Sequence, residues 1–520
     1  MLNKRSFLYQ AGLLASSNML LLLLNFIYRI ILGGVCGPEG LGVYTLTMQV
    51  YGIVMSICVS GMTVAVTNLS ASLLQNNDIR SIRKMMRFAL LCFAMLLAGL
   101  SLPMLAFRET IATNLLGDAR TEKALGMVLL CIALTGVENI IKALFNGTAF
   151  VKFSALSEVG EQTLRILFAA FLLVKYMNGD HGYSAFLILV GMTFSEVYSV
   201  TLLGINYIRK FGCIKSGGKK TLDIRRRFLK VYIPSAGTAI LANVFASVAT
   251  IIFPRRLLLA GYTHVEALSA LGLLSGMVMP ILMLPSALIN ALCTLLMPTI
   301  SASFARSDSK DLQRKVSKGI EAAGLLGMPS TAMLMPFVPL LCLVLFGQTA
   351  PIAVVALLSA EVAVTYHLIL SVAVLNGLGR QKQVLLFAAV SEIIQLGLVW
   401  VLSAKPSLHV YGYLTGMLLG DVLRVALGFV CVRKYTNTRI RFFHAVCVPI
   451  ACSVIMHFGA RLSFFYLVAG GCAMVVALLL SFIVCAAVYL LLLRLMGVDI
   501  FAYIRRTFYG RDFHKTLPTI

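Results

Sequence analysis

The chain reads as a succession of long apolar stretches separated by short polar breaks. Runs such as Met19–Leu24, Ala185–Val190 and Leu467–Leu493 are extended by small or weakly polar residues and end at charged or glycine-rich positions. The runs are continuous rather than alternating. They therefore fit helices and not the strands of a membrane barrel, whose roughly ten-residue segments alternate apolar and polar positions. A helix needs about 20 apolar residues to cross the hydrocarbon of a bilayer. On that basis the pattern predicts fourteen spans, from 10–33 and 43–68 at the start to 443–460 and 466–494 at the end. Lys4 and Arg5 precede the first run as in a signal peptide, but the run continues past Asn25 and Arg29 without a cleavage site, so it is read as the first span.

The spans repeat. Phe26–Gly34, with Arg29, parallels Phe253–Gly261, with Arg256, at an offset of 227 residues. Ser70-Ala71-Ser72 followed by Arg83-Lys84 parallels Ser301-Ala302-Ser303 followed by Arg314-Lys315, at an offset of 231. Asn146-Gly147 with Lys152 parallels Asn376-Gly377 with Lys382 at 230, and Gly191-Met192 with Glu196-Val197 parallels Gly416-Met417 with Asp421-Val422 at 225. Four matches in order, at nearly constant spacing, predict two similar six-span halves. Six is an even number, so the halves share one orientation, as in transporters built from parallel repeats. The expected fold is an all-α integral membrane protein. It has an N-terminal lobe at 1–208, a basic linker at 209–230 around Ser216-Gly217-Gly218, a C-terminal lobe at 231–432, and two extra spans with a tail at 433–520. The substrate path is expected between the two halves.

Composition supports the membrane reading. Hydrophobic residues make up 59% of the 520 positions and charged residues only 12%, against roughly a quarter charged in a soluble domain. The net charge of +24 would suit a polyanion, but the basic residues sit in short loops without interleaved aromatics, so nucleic acid is not an expected partner. The breaks on the side of the N-terminus hold 31 Lys and Arg, including Arg225-Arg226-Arg227, and those on the other side hold eight. The positive-inside rule then places both termini in the cytoplasm. The twelve cysteines are scattered through apolar runs with no Cys-x-x-Cys pair, which argues against a disulfide framework or a zinc site.

Ionisable residues within spans are the best pointers to function, because each is costly in hydrocarbon unless paired or facing a wet cavity. Arg29 and its repeat partner Arg256, with Arg255 beside it, lie toward the outer ends of the first and seventh spans. Guanidinium groups bind phosphate bidentately, so two such sites would suit a diphosphate or acidic sugar; the same arginines would also suit snorkelling to lipid headgroups. Glu138 with Lys142, Glu161 with Arg165, and Asp421 with Arg424 stand at helical contact spacing and can neutralise each other. Glu196, Glu361 and Glu392 have no such neighbour and are candidates for a cavity or a coupling ion. Pro280, Pro285, Pro298, Pro329, Pro336 and Pro339 crowd the eighth and ninth spans, where bends are expected. No glycine-rich phosphate loop ends in Lys-Ser/Thr, and the seven histidines are dispersed. No enzyme activity, metal site or cofactor is expected.

The first span ending in Arg29, followed by Gly37-Pro38-Glu39-Gly40-Leu41-Gly42-Val43-Tyr44, resembles the polysaccharide-transporter branch of the MOP (multidrug/oligosaccharidyl-lipid/polysaccharide) exporter superfamily. Asn376-Gly377-Leu378-Gly379-Arg380-Gln381-Lys382 does so too. Within that branch, Gly272–Met277 and Pro285–Leu288 are similar to the stage V sporulation protein B group. The resemblance implies a flippase in the bacterial cytoplasmic membrane that moves a lipid-linked glycan of the undecaprenyl diphosphate type by alternating access. Lipid II for peptidoglycan, including that of the spore cortex, is the first candidate substrate. Arg29 is the binding residue the resemblance carries over; Arg256 rests on the repeat. Two alternatives stay open: a cation-coupled multidrug exporter relying on acids such as Glu361 and Glu392, and a scaffold that recruits envelope-synthesis proteins through its basic loops.

Overall fold

The computed structural model describes residues 4–75, 78–148, 150–177, 183–212, 223–438 and 447–495. Much of the expected linker, including Ser216-Gly217-Gly218, and the C-terminal tail lie outside the described residues, as do Arg439 and Arg441. The helices of the first half are α1 (Lys4–Met55), α2 (Gly61–Gln75), α3 (Ile79–Ala106), α4 (Arg108–Thr110), α5 (Thr121–Gly147), α6 (Val151–Tyr176) and α7 (Ser184–Tyr207). Then come α8 (Ile224–Leu259), α9 (His264–Leu271), α10 (Met279–Leu282), α11 (Ser286–Ala305), α12 (Ser309–Leu334) and α13 (Val338–Phe346). The chain continues with α14 (Ile352–Gly377), α15 (Gln381–Leu402), α16 (His409–Thr436), α17 (Val448–Ala469) and α18 (Met474–Leu495). No strand occurs among the described residues.

Local chemistry sets where these helices start and bend. Asp78 and Asp308 accept backbone N–H bonds from Ser81 and Asp311, each at 3.0 Å, and so cap α3 and α12. Thr263 and Glu266 form a reciprocal capping box at the start of α9, which satisfies N–H groups that a helix start leaves unpaired. In α1 the backbone leaves helical geometry at Gly37, with φ 66° and ψ 180°, just before Pro38. Positive φ is open to glycine at little cost, and proline then provides the first turn of the onward helix. The eighth expected span is broken into α9, a π-helical turn at Gly272–Val278, α10 and α11. The ninth is bent by 60° between α12 and α13. The proline-rich region is therefore bent, as the sequence predicts.

Eleven helical runs among the described residues are long and apolar enough to cross a membrane, or twelve if the bent pair is one span. The count of fourteen is not reproduced on that criterion. One run, Ser16–Leu74, covers 59 residues across the Gly37 break, more than twice the length that one crossing needs. Val151–Tyr176 is long enough but carries Lys152, Glu158, Glu161, Arg165 and Lys175.

By Cα proximity the chain divides into two compact units. The first comprises 1–280, 344–348 and 388–416, and the second 281–343, 349–387 and 417–520. In the first, α1 packs on α5, α6, α7, α8, α9 and the Gly272–Val278 turn. Its approach is closest where Gly42 faces the carbonyl of Leu268 and Gly272 faces the carbonyl of Pro38. Small residues permit such backbone contact between membrane helices. In the second unit α12 packs on α14 and α17, and α17 on α18. Phe337, Cys452, Met456 and Cys485 form its core, and Tyr489 donates to the carbonyl of Leu325 at 3.0 Å.

The repeat is visible in the packing. Gly147 sits against Thr67, and Gly377 sits against Met297; both partners are 230 residues apart, the offset that relates the glycines. Gly191 lies on the backbone of Ala169 and Gly416 on that of Val399. The same helix crossings are thus used twice.

The Gly272 crossing gives a test with a signed control. Gly272→Val is expected to destabilise the protein by about 3 kcal/mol through overpacking, whereas Gly99→Ala, in α3 with nothing within 4 Å of a new Cβ, is expected to stabilise by roughly 0.5–1 kcal/mol. Thermal unfolding of the purified protein in detergent checks both; equal midpoints for the two variants would contradict this packing.

Candidate functional site

Three helices of the first unit bring together Glu138, Lys142, Glu161, Arg165 and Glu196, all charges that the sequence places inside spans. Glu138 and Lys142 are one turn apart on α5, and Glu161 and Arg165 one turn apart on α6, so each pair shares a helix face. Glu196 and Ser199 project from α7. The helices come close enough for short polar bonds because Gly191 lies on the backbone of Ala169 and Gly160 on the ring of Tyr198. Lys142 Nζ lies 2.6 Å from Glu138, 3.3 Å from Glu161 and 3.6 Å from Glu158. Arg165 donates to Glu161 and, at 3.0 Å, to Glu196. Ser199 donates to Glu138 and shares a hydrogen bond with Ser157. Glu196, which lacks a partner on its own helix, thus finds one on α6.

The network is buried and unevenly charged. Oxygens of Glu138, Glu161 and Glu196 all lie within 4.8 Å of one another, a grouping tolerable in hydrocarbon only with cations among them. Lys142 and Arg165 supply two. Three buried carboxylates against two cations leave one negative charge over, and Glu158 at the half-exposed edge adds another. Glu196 Oε2, Gln162 Nε2 and Arg165 Nε are buried without a hydrogen-bond partner among the described residues. The arrangement is chemically able to take up a proton or exchange partners, because unused donors and acceptors remain within it.

The three predicted arginines are differently placed. Arg255 donates to the carbonyl of Asn114. Arg256 donates to the carbonyl of Trp400 at 2.8 Å and stacks over its ring at 4.3 Å. Arg29, half-buried on α1, makes no hydrogen bond or ion pair with the described residues. The phenols of Tyr28 and Tyr44 lie within electrostatic reach of both Arg29 and Arg165. Arg29 and Arg256 are therefore equivalent in sequence but unequal in bonding. Near the Gly37 break, Arg120 Nη1 and Nη2 reach Glu39 at 2.7 Å and Asp118 at 2.8 Å. The bond to Asp118 leads in pushing the Arg120 pKa above its ordinary value, so this clamp stays charged.

In the second unit Glu361 on α14 and Asp421 on α16 share one donor. Thr365 Oγ1 stands 3.1 Å from Glu361 Oε1 and 3.1 Å from Asp421 Oδ2. A hydroxyl has one proton and can donate to only one of them at a time. Glu361 Oε2 is buried with no partner among the described residues. Arg424, on α16, is close enough to act on Asp421 electrostatically. Glu392, the remaining predicted acid, is half-buried on α15.

Comparison with known proteins identifies the family and the fold. The family described as "Polysaccharide biosynthesis protein" matches residues 7–304. The chain belongs to that family. It is similar to stage V sporulation protein B of Bacillus subtilis (strain 168), 24% identical over 441 residues, covering 81% of this chain and 83% of that one. It is also similar to the lipid II flippase MurJ of the same organism, 22% identical over 447 residues and 80% of each chain. Among solved structures, an inward-facing multidrug resistance MATE transporter of the MOP superfamily aligns with a TM-score of 0.66 at 16% identity, covering 80% of this chain and 94% of that one. MurJ in an inward closed conformation aligns with a TM-score of 0.62 at 14% identity, covering 92% and 98%. The fold is that of MOP-superfamily transporters, and the protein is a membrane protein.

Several site residues escape a linear reading. Ser157, Ser199, Gln162, Tyr28 and Tyr44 are ordinary span residues until α1, α5, α6 and α7 are packed. Thr365 had a signal: it follows Thr135 by 230 residues, the offset of Asn146 and Asn376. Glu39 and the neighbouring Asp118 and Arg120 come from separate segments, and nothing in the spacing links the first to the other two.

Removing the shared cation tests the network. Arg165→Met should cost about 3–5 kcal/mol, since it leaves buried charge unpaired. Adding Glu196→Gln should recover part of that loss, as expected of coupled neighbours. Chemical denaturation of the two variants decides it; additive losses would mean that Arg165 and Glu196 do not act together.

Proposed function

We propose that this protein is a flippase for a lipid-linked glycan of the undecaprenyl diphosphate type, with lipid II as the first candidate, and that Arg29 contacts the diphosphate. The observation that carries the reading is the state of Arg29. It is a half-buried guanidinium in an apolar span, left without a protein counter-charge among the described residues, and such a group favours a phosphate oxyanion. The similarity to MurJ and to stage V sporulation protein B supports a substrate of this class. The repeat halves, 1–208 and 231–432, would alternate access to a site between them. The excess of basic residues in the loops on one side supports cytoplasmic termini in a bacterial plasma membrane. Arg255 and Arg256, already bonded to carbonyls, would help bind substrate only by exchanging those partners.

The acids have a place in the same scheme. The α5–α7 network and the Glu361–Thr365–Asp421 bridge both carry more acceptors than donors, so either supports coupling to a proton or small cation. The second of these, together with the likeness to MATE structures, supports the alternative reading of a cation-coupled drug exporter.

Purified protein in liposomes, with fluorescent lipid II in one leaflet, separates the two. Arg29→Ala should lower the rate of appearance in the other leaflet by at least about tenfold, roughly the loss of one charged hydrogen bond, and Arg29→Lys should retain a measurable part. Lipid II movement no faster than in protein-free vesicles would reject the substrate assignment.

Transport under imposed gradients addresses coupling. Glu361→Gln is expected to abolish the response of the rate to a proton or sodium gradient while leaving movement without a gradient. A drug exporter would instead show dye efflux that is lost in Glu361→Gln and unaffected in Arg29→Ala.

A further inference from the structure

The repeat makes α14 and α16 the counterparts of α5 and α7, through Asn146/Asn376 and Glu196/Asp421. In the first half α5 and α7 pack closely against each other; α14 and α16 meet where Thr365 lies 3.1 Å from Asp421 and where Gly428 faces Ser371 Oγ. Beside these contacts, residues of α12, α14, α16 and α17 line a cavity of about 720 Å³. That is within the size range of small-molecule sites, which typically hold an apolar body and a few polar fixing points.

The polar points are present and unused. Ser359 and His367 on α14 and Ser453 on α17 line the cavity and are more than nine-tenths buried. The hydroxyls of Ser359 and Ser453 and Nε2 of His367 have no hydrogen-bond partner among the described residues. Three unpaired polar groups facing one apolar space would each be costly if the space were dry and empty. His367 also gives direction. Its Nδ1 is 3.0 Å from the carbonyl of Ala363, which can only accept, so Nδ1 carries the proton and Nε2 of the neutral ring is an acceptor. The matching ligand group is a donor, a hydroxyl.

The rest of the lining restricts the ligand further. Among the described residues no Lys, Arg, Asp or Glu lines the cavity, and its titratable groups are His367 and His457, so no permanently charged side chain is there to pair with an ionic headgroup. Val422 on α16 and Ile450 and Val454 on α17 line it while remaining about half exposed. They belong to helices apolar enough to span a membrane, so the entrance is hydrocarbon-facing.

From this we infer a site in the second unit for an uncharged lipid with a free hydroxyl, its chain lying between α14 and α16 and its O–H directed at His367 Nε2. It is separate from Arg29 and does not depend on the transported molecule being a glycan lipid.

The test is photolabelling of the full protein in phosphatidylglycerol–phosphatidylethanolamine liposomes with a diazirine-bearing long-chain alcohol, read by peptide mass spectrometry. Labelling is expected in the peptides holding Ser359–His367 and Ser453–His457. Competition by unlabelled farnesol and by diacylglycerol distinguishes an isoprenoid from an acyl ligand, and displacement by either supports the site. The methyl ether of the same alcohol, which cannot donate, should compete on the order of tenfold less well, the worth of one buried hydrogen bond. Ala363→Phe with Ala426→Leu fills the cavity and should remove the label. If that variant does not accumulate, Ser359→Ala with Ser453→Ala keeps the volume and should weaken labelling severalfold. Equal competition by alcohol and ether, label confined to the outward face of α17 at Phe458 and Leu462, or labelling unchanged in either variant would each overturn the inference.

Discussion

The first unit depends on keeping two cations among buried carboxylates. Each charge buried in hydrocarbon costs several kcal/mol unless it is compensated, and the compensation here crosses three helices. Lys142 on α5 reaches Glu161 on α6; Arg165 on α6 reaches Glu196 on α7; Ser199 on α7 reaches Glu138 on α5. A relative shift of any helix strands a charge, so register and rotation are fixed by electrostatics as well as by shape. Glycines make this possible, because Gly191 brings α6 and α7 into backbone contact and the polar side chains can then meet.

The two halves share their backbone crossings but not their polar chemistry. Gly147 and Gly377 make corresponding contacts, as do Gly191 and Gly416. Yet the α5–α7 region is tied by ion pairs, while its counterpart holds Glu361 and Asp421 on one threonine hydroxyl and leaves a cavity beside them. Duplication preserves what packing requires, namely small residues where backbones touch. Charged and hydroxylated positions make different contacts in the two halves.

Helix breaks are a second constraint, with a different cause. Gly37 takes a positive φ, and the adjacent Glu39 is held by Arg120 together with Asp118. The bend is thus fixed by a charged clamp rather than left to glycine alone. Backbone groups freed at the Gly272–Val278 turn and between α12 and α13 lie among packed helices, where irregular structure in a membrane protein is tolerated.

The sequence alone determined the helical membrane character, the approximate position of most long helices, the internal repeat and the bends near the prolines. These follow from period, length and composition, which are local properties. It also identified Glu138–Lys142 and Glu161–Arg165, because a helix turn fixes those neighbours. Only the tertiary structure decided that the two pairs form one network with Glu196, that Arg256 is engaged by Trp400 while its counterpart Arg29 is not, and that Thr365 joins Glu361 to Asp421. It also decided that α12, α14, α16 and α17 line a cavity. Such relations depend on how helices rotate and approach in three dimensions, and when most residues of a span are apolar the pattern along the chain carries little information about which face meets which neighbour.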